Sequence, residues 1–173
     1  MKKILFLLPI IFFIISCEDK FSIVESKTFP AQQIAHQNDT VINDTITHSF
    51  FSRLHNRGAF GMIYTYFPPD NIRDKPMEIV FSGNARTNYA YSNAFVNVTM
   101  GSKKGVQLGW TGRNLRYFFT DINTWCKFRD SVTFKREDWH DPYYRIDVFS
   151  YLPNPTQENF DIDTLFVKIK VKN

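Results

Sequence analysis

From about residue 60 onward, apolar and polar residues alternate along short segments that are separated by turn-forming residues. Alternation with a period of two is typical of a β-strand with one buried face, whereas an amphipathic helix repeats its apolar residues about every 3.6 positions. Residues 165–171 show the pattern most clearly, because aliphatic residues alternate there with Phe166 and with lysines. Breaks at 68–71 (Pro-Pro-Asp-Asn) and 101–105 (Gly-Ser-Lys-Lys-Gly) end two of the segments. The sequence therefore predicts many short strands.

Short strands with one apolar face are buried most economically when two antiparallel sheets pack face to face. We therefore predict an all-β fold, an antiparallel two-sheet β-sandwich, over residues 44–173. The chain has 173 residues, 43% of them hydrophobic and 18 of them Phe, which suffices for one domain with a sizeable core and excludes disorder as its main state. Lys168, Lys170 and Lys172 fit either an edge strand or a solvated sheet face.

The first 16 residues begin with Met-Lys-Lys and continue as an apolar run, which is the pattern of a secretory signal peptide. The run is too short to span a bilayer, for which about 20 apolar residues are needed. The stretch Ile14-Ile15-Ser16-Cys17 resembles the lipobox of bacterial lipoproteins. That resemblance implies that Cys17 becomes the first mature residue and carries acyl chains such as palmitate. An ordinary signal peptide followed by an incidental cysteine is the alternative.

A multiply acylated N-terminus anchors a protein without a transmembrane helix, since each buried methylene contributes about 0.8 kcal/mol. Residues 17–43 are polar and unpatterned, so we predict an acylated tether, with one short strand at residues 21–24. Glu18 and Asp19 resemble a surface-export signal of some Gram-negative envelopes and an inner-membrane retention signal of others. We expect a lipid-anchored protein of the outer membrane, with display on the cell surface as an open alternative.

The basic charge of the chain is largely a property of its leader. The 21 Lys and Arg include Lys2 and Lys3, so cleavage after residue 16 leaves 19 basic against 17 acidic residues. The mature chain has no run of basic residues, and we therefore predict no nucleic-acid partner. After cleavage Cys126 is the only cysteine besides Cys17 and has no intramolecular disulfide partner, so we expect it to be a small buried hydrophobic residue.

A series of short segments follows the order found in the carbohydrate-binding jelly rolls of the galactose-binding-like type. The segments are His48-Ser49, Phe60-Gly61 and residues 81–86, 93–98, 108–110, 123–128, 144–149, 154–155 and 160–165. Phe50 stands where that family usually has Gly. The resemblance covers roughly residues 44–172. It implies a jelly-roll sandwich, usually non-catalytic, that binds glycans on a concave face or on rim loops.

The sequence contains few residues or motifs that indicate catalysis. A glycoside hydrolase needs two carboxylates about 5 to 10 Å apart in a cleft, and Asp138, Asp141, Asp161 and Asp163 lie in contexts that suit turns and strand ends equally well. The Gly-x-Ser-x-Gly, His-Glu-x-x-His and phosphate-loop motifs do not occur. We therefore predict a non-enzyme.

Sugar binding requires aromatic faces for the apolar side of a pyranose ring, flanked by side chains that hydrogen-bond to hydroxyl groups. The predicted ligand-binding residues are Arg86, Tyr91, Trp110, Tyr117, Trp139 and Tyr151. Trp139 lies in a polar stretch and is the tryptophan we expect to be exposed. For each aromatic residue, filling the space between the sheets is the alternative, and Trp125 is expected to be structural.

The same family resemblance implies a structural calcium ion near the chain ends, with Asp161 and Asp163 as metal ligands. Ile162 stands where the family has a second adjacent Asp, and no other cofactor is expected. Two functions remain open. The first is a glycan-binding envelope lipoprotein. The second is a protein-interaction subunit of an outer-membrane assembly, which predicts a flat apolar patch in place of a groove.

Overall fold

A computed structural model describes residues 21–30, 40–44, 49–54, 60–135, 141–153 and 158–173. This part of the chain forms ten strands and two short 3-10 turns, Asp70–Ile72 and Leu115–Phe118. The strands are β1 (Phe21–Pro30), β2 (Thr40–Asp44), β3 (Ser49–Leu54), β4 (Phe60–Tyr66), β5 (Met77–Thr87), β6 (Phe95–Gly101), β7 (Gln107–Asn114), β8 (Cys126–Phe134), β9 (Arg145–Tyr151) and β10 (Phe160–Lys172). None of the described helices is long and apolar enough to cross a membrane.

The strands form two antiparallel sheets, which confirms the predicted fold class. One sheet has the order β2-β3-β10-β5-β8, with β1 also paired to β10, and the other has the order β4-β9-β6-β7. The inner faces enclose one hydrophobic core, to which both sheets contribute fully buried aliphatic residues such as Val98, Val148, Leu165 and Ile169. The fold is therefore a β-sandwich of the jelly-roll type.

β10 shows how the alternation produces this arrangement. Leu165, Val167 and Ile169 point into the core, and the intervening Lys168 and Lys170 point to the other side of the sheet. Because β10 pairs with β5 on one side and with β1 and β3 on the other, it is an interior strand. The lysines therefore mark a solvated sheet face and not a sheet edge.

The predicted boundary between tether and domain is wrong, because the sandwich begins before residue 44. The strand predicted at residues 21–24 is confirmed and continues to Pro30, paired with β10 along its length. Val24 and Phe29 pack against the core, and the Phe29 ring stacks on Tyr64 with 4.5 Å between ring centroids. Burial of these side chains explains why a polar segment nevertheless forms a strand.

The sandwich has two ends, which we name by their position. At the terminal pole, β1 begins and β10 ends, and Lys172 N donates to Pro76 O at 2.9 Å. The connections 67–76 and 141–144 and the turn 102–106 lie there. The distal pole carries the connections 88–94 and 115–125 at the opposite ends of the strands.

Candidate functional site

The outer face of the four-stranded sheet, called the sheet face below, combines aromatic and polar side chains. It is defined by the strand register, because residues paired across antiparallel strands lie on the same side of a sheet. From the distal to the terminal pole its rows are Phe60, Tyr151, Phe95 and Asn114; Ile63, Phe149, Asn97 and Gly112; Thr65, Asp147, Thr99 and Trp110; and Arg145, Gly101 and Gln107. The intervening residues of the central strands, such as Val98 and Ile146, are fully buried in the core.

Asp147 is the centre of a hydrogen-bonded row across the sheet face. Thr65 Oγ1 donates to Asp147 Oδ1 at 2.7 Å, and Thr99 Oγ1 donates to Oδ2 at 3.5 Å. Arg145 Nε lies 2.8 Å from Oδ2, and the carboxylate is mostly buried. These partners fix the carboxylate in position, so the row presents hydroxyl, carboxylate and guanidinium groups in a constant arrangement.

Asn97 lies beneath the surface of the same face without hydrogen-bond partners. It is 1% exposed, and neither its amide nitrogen nor its amide oxygen is paired within the described residues. Its amide occupies the space above Gly112, where a Cβ would overlap Asn97 Oδ1. A buried unpaired amide costs about 1 to 3 kcal/mol. A ligand group or a water molecule that reached this amide would complete its hydrogen bonds.

Aromatic rings frame these polar groups on two sides. Trp110, at the β7 edge of the sheet, is 54% exposed. Towards the distal pole, the Phe60 ring lies 5.5 Å from Phe149 and 5.1 Å from Tyr151, measured between centroids. The sheet face thus offers an exposed indole beside a polar row and a cluster of aromatic rings.

A surface cavity adjoins the sheet face at the terminal pole. Its volume is about 320 Å³, and its walls include Phe67, Thr99, Lys103, Arg145 and Asp147. Since Thr99 is paired with Trp110 across β6 and β7, the cavity is continuous with the polar row. A ligand that lies along the row can therefore extend into a recess with basic side chains.

The structure brings together only part of the predicted ligand-binding set. Trp110 and Tyr151 both lie on the sheet face. Arg86 lies on the outer side of the other sheet, and Tyr91 and Tyr117 belong to the distal pole. Trp139 and the lipidation residue Cys17 lie outside the described residues. The predicted set is therefore not a single site.

Arg86 belongs to an ion cluster around the buried carboxylate of Asp161. Its Nε lies 2.7 Å from Asp161 Oδ2, and Arg53 places Nε 2.6 Å from Oδ1 and Nη2 2.7 Å from Oδ2. The Arg86 guanidinium also lies over the Phe51 and Trp125 rings, 4.7 Å from each centroid. The hydrogen bond to Asp161 raises the pKa of Arg53, against the opposing effect of burial. These contacts give Arg86 and Trp125 a structural role.

The two residues expected to bind calcium, Asp161 and Asp163, both contact protein groups. Both oxygens of Asp161 accept hydrogen bonds from guanidinium groups, and its side chain is only 3% exposed. Asp163 accepts a hydrogen bond from Asn84 Nδ2 at 3.2 Å. Within the described residues, no group of three or more Asp, Glu, His or Cys is placed to hold a metal ion. Two arginines supply the positive charge at Asp161, whereas Oδ1 of Asp163 has no partner within the described residues, and a calcium ion held by these two residues stays a prediction.

Tyr91 and Tyr117 expose their rings at the distal pole. The Arg116 guanidinium lies 5.0 Å from the Tyr91 ring centroid, and Tyr89 meets Tyr91 edge-on. Buried Glu158 fixes the connection 88–94, because its carboxylate accepts hydrogen bonds from Ser92 Oγ and from the backbone N–H of Asn93. Tyr117 is 89% exposed.

Cys126, predicted to be buried, is only half-buried at the start of β8. Its Sγ donates to Thr124 O at 3.6 Å and lies 3.7 Å from Thr120 Oγ1. Cys126 is the first residue of the strand and pairs with buried Ala85, so it lies at the boundary between the core and the exposed connection that precedes β8.

Sequence reasoning missed the polar centre of the sheet face. Asn97, Thr99 and Asp147 occupy outward positions of strands that the alternation does predict. The sequence does contain an indication of this site, because polar residues on the outer side of otherwise apolar strands can serve a binding function. What the sequence lacks is the information that β6 and β9 are neighbours, which brings these side chains together.

Comparisons with known proteins identify similar folds, but they do not assign the chain to a family. No protein-family model and no curated protein matches the sequence of this chain. The VP2 subviral particle of infectious bursal disease virus is similar in structure, with a TM-score of 0.51 and 7% identity. That match covers 86% of this chain and 32% of the VP2 chain, so the likeness extends over about a third of VP2. At this identity the likeness concerns the fold alone.

Two carbohydrate-binding modules are also among the similar structures. The C-terminal CBM6 of LamC from Zobellia galactanivorans has a TM-score of 0.41 and 10% identity, over 86% of this chain and 100% of the module. A CBM4 structure has a TM-score of 0.44 and 10% identity, over 80% of this chain and 94% of that one.

Proposed function

We propose that this protein is a lipid-anchored envelope lipoprotein of the outer membrane whose β-sandwich binds a glycan, without catalysis, on the sheet face. The observation that carries the proposal is the placement of exposed Trp110 in one row with Asp147, next to the buried and unpaired amide of Asn97. Acylation of Cys17 is the anchoring part of the proposal and depends on the lipobox resemblance.

The chemistry of the sheet face suits a sugar. The apolar side of a pyranose ring packs on an aromatic ring, and the exposed indole of Trp110 provides such a surface. Sugar hydroxyls both donate and accept hydrogen bonds, and the row contains acceptors in Asp147 and donors in Arg145 and the threonine hydroxyls. The amide of Asn97 is 1% exposed and would add a donor and an acceptor for a ligand group that reached beneath the face.

The way in which Asp147 is held supports a non-catalytic role. Arg145 and Thr65 bind its carboxylate, so it has the partners of a structural acceptor. A glycoside hydrolase requires a second carboxylate about 5 to 10 Å away, and Asp147 is the one carboxylate among the described residues that define the sheet face. The arrangement favours binding.

Replacing Trp110 tests the proposal directly. Trp110→Ala should weaken glycan binding about tenfold, because removal of an aromatic anchor from a binding face commonly costs more than about 1 kcal/mol. Binding is measured by isothermal titration calorimetry with polysaccharides that a glycan array selects. Tyr117→Ala is the matched control, since Tyr117 is also an exposed aromatic residue but belongs to the distal pole.

The outcome separates the two functions that the sequence leaves open. Equal losses for Trp110→Ala and Tyr117→Ala would show that the sheet face is not the site. If no glycan binds and a stoichiometric protein partner is recovered from detergent-solubilised membranes, the protein-interaction role takes its place. Cys17→Ser should release the protein from sedimenting membranes, and retention of that variant would contradict the lipid anchor.

A further inference from the structure

The terminal pole gathers basic residues that are far apart in the sequence. The basic residues at this end are Arg73, Lys75, Lys103, Lys104, Lys135 and Lys172. The described acidic residues at the same end are Asp70, Asp74 and Asp141, and Asp70 is paired with Arg73. Among the described residues of the terminal pole, six basic residues therefore stand against three acidic ones, and the segment from Glu18 to Lys20 that precedes β1 lowers this excess by one charge. The described distal connections 88–94 and 115–125 carry one residue of each sign, Arg116 and Asp121.

The turn between β6 and β7 presents two of the lysines on a rigid support. Ser102 N donates to Val106 O at 2.8 Å, and Gly105 N donates to Ser102 O at 3.0 Å. Gly105 has a φ of 78°, which glycine adopts without strain. Lys103 and Lys104 are exposed at the tip of this turn, and Val106 beside them is 57% exposed.

Exposed apolar side chains accompany the charges. Phe67 and Ile23, each 58% exposed, lie at or near the terminal pole, since Phe67 directly follows β4 and Ile23 pairs with Lys170. Lysines interspersed with exposed apolar residues are typical of surfaces that bind the interface of an anionic bilayer.

The proposed anchor lies at the same pole. β1 begins at Phe21, opposite Lys172, and only three residues separate Phe21 from Cys17. Four steps along an extended chain reach at most roughly 14 Å. An acylated Cys17 therefore holds the terminal pole close to the lipid surface, at a distance comparable to the range of about 8 to 10 Å over which charges interact in physiological salt.

We propose that the terminal pole docks on an anionic lipid surface, so that the sandwich stands with the distal pole directed away from the membrane. The inference depends on the anchoring part of the proposed function and not on glycan binding. In this orientation, the exposed rings of Tyr89, Tyr91 and Tyr117 face outward. The sheet face runs between the two poles and stays accessible from the side.

Site-specific labelling of the lipidated full-length protein tests the orientation. In a Cys126→Ser background, Val106→Cys and Tyr117→Cys each provide one free thiol for a fluorophore, because the Cys17 thiol is acylated. The proteins are reconstituted in vesicles of equal parts phosphatidylcholine and phosphatidylglycerol that contain lipids with a quencher on the headgroup. We expect the label at residue 106 to be quenched several-fold more strongly than the label at residue 117.

Charge reversal tests the nature of the surface. With the label at residue 106, Lys103→Glu combined with Lys104→Glu should reduce quenching, whereas Lys127→Glu, an exposed lysine on β8, should not. Equal quenching at residues 106 and 117, or equal effects of the reversals, would overturn the proposal while leaving glycan binding intact. Quenching at residue 106 that persists without phosphatidylglycerol and falls on addition of an anionic polysaccharide would also overturn it. Failure of the protein to sediment with vesicles would instead refute the anchor, and the docking proposal with it.

Discussion

Among single residues, Gly112 controls the space that the Asn97 amide occupies. A Cβ at this position would overlap Asn97 Oδ1 and lie 3.3 Å from Phe95 Cδ1. Gly112→Ala should therefore displace the amide and weaken glycan binding. Overpacking of this kind typically costs about 1 to 3 kcal/mol of stability. Calorimetric titration measures the first effect and urea denaturation the second.

Gly101→Ala is the matched control for Gly112→Ala. It lies on the same sheet face, but an added Cβ there would meet Val106 O at 3.9 Å and Arg145 Cβ at 4.0 Å, which are ordinary contact distances. The glycan affinity of Gly101→Ala should therefore fall less than that of Gly112→Ala. If Gly112→Ala binds glycan as well as Gly101→Ala does, Asn97 has no part in the site.

Asp163 couples stability to pH. Burial raises the pKa of its carboxyl above the ordinary value of 3.8, although hydrogen bonds from Thr164 and Asn84 oppose the rise, and Oδ1 has no partner within the described residues. The folded state therefore holds this proton more tightly than the unfolded state, so ionisation of Asp163 destabilises the fold. The cost is absent below pH 3.8 and is fully present above the raised pKa.

Asp163→Asn should raise the free energy of unfolding at neutral pH, since the uncharged amide avoids the cost of burying a carboxylate. The gain should shrink as pH falls through the raised pKa towards 3.8. Urea denaturation at several pH values measures it, with Asp121→Asn at an exposed position as the control. A gain of the same size at acid and neutral pH would mean that packing, and not ionisation, is responsible.

At the scale of the structural elements, β1 decides where the domain begins. Phe29 stacks on Tyr64 and packs against the core, whereas Ile23 on the same strand is exposed. Phe29→Ala should lower the free energy of unfolding by about 1 to 3 kcal/mol, below the range for a fully buried Phe because this ring is only partly buried. Ile23→Ala should change it by less than about 0.5 kcal/mol. If urea denaturation showed equally small effects for Phe29→Ala and Ile23→Ala, β1 would belong to the tether and not to the domain.

The alternation predicts β6, β9 and β10 correctly because each has a continuous apolar face. It misses most of β1, whose half-buried Val24 and Phe29 are separated by polar residues. The alternation also cannot reveal register, since the neighbours of a strand depend on the path of the whole chain. For this reason Trp110 could be found as a candidate, but its proximity to Asp147 could not.

For the whole molecule, the fold assembles surfaces that the sequence disperses. Lys75, Lys103, Lys135 and Lys172 occur in four different parts of the sequence and meet at one end of the sandwich. The sheet face likewise combines residues of four strands, β4, β6, β7 and β9. In the proposed orientation the charged end serves attachment and the sheet face serves recognition, which makes the two functions separable.

Separable functions should show no thermodynamic coupling. Trp110 lies on β7 three residues beyond Gln107, which places it about 10 Å along the strand from the turn that carries Lys104. Effects of substitutions at such a separation usually add to within about 0.5 kcal/mol. Trp110→Ala should therefore weaken glycan binding by the same factor with or without Lys104→Glu. Likewise, Lys104→Glu should reduce headgroup quenching equally in both Trp110 backgrounds.

The measurement is a double-mutant cycle on the lipidated protein in vesicles, with glycan affinity and headgroup quenching recorded for all four proteins. Additivity in both quantities is the expected result. A coupling well above about 0.5 kcal/mol would mean that the glycan also contacts the turn, by way of the cavity that Lys103 and Arg145 line. In that case the recess beside Thr99 belongs to the glycan site, and the basic residues of the turn select for acidic sugars in addition to any role at the membrane.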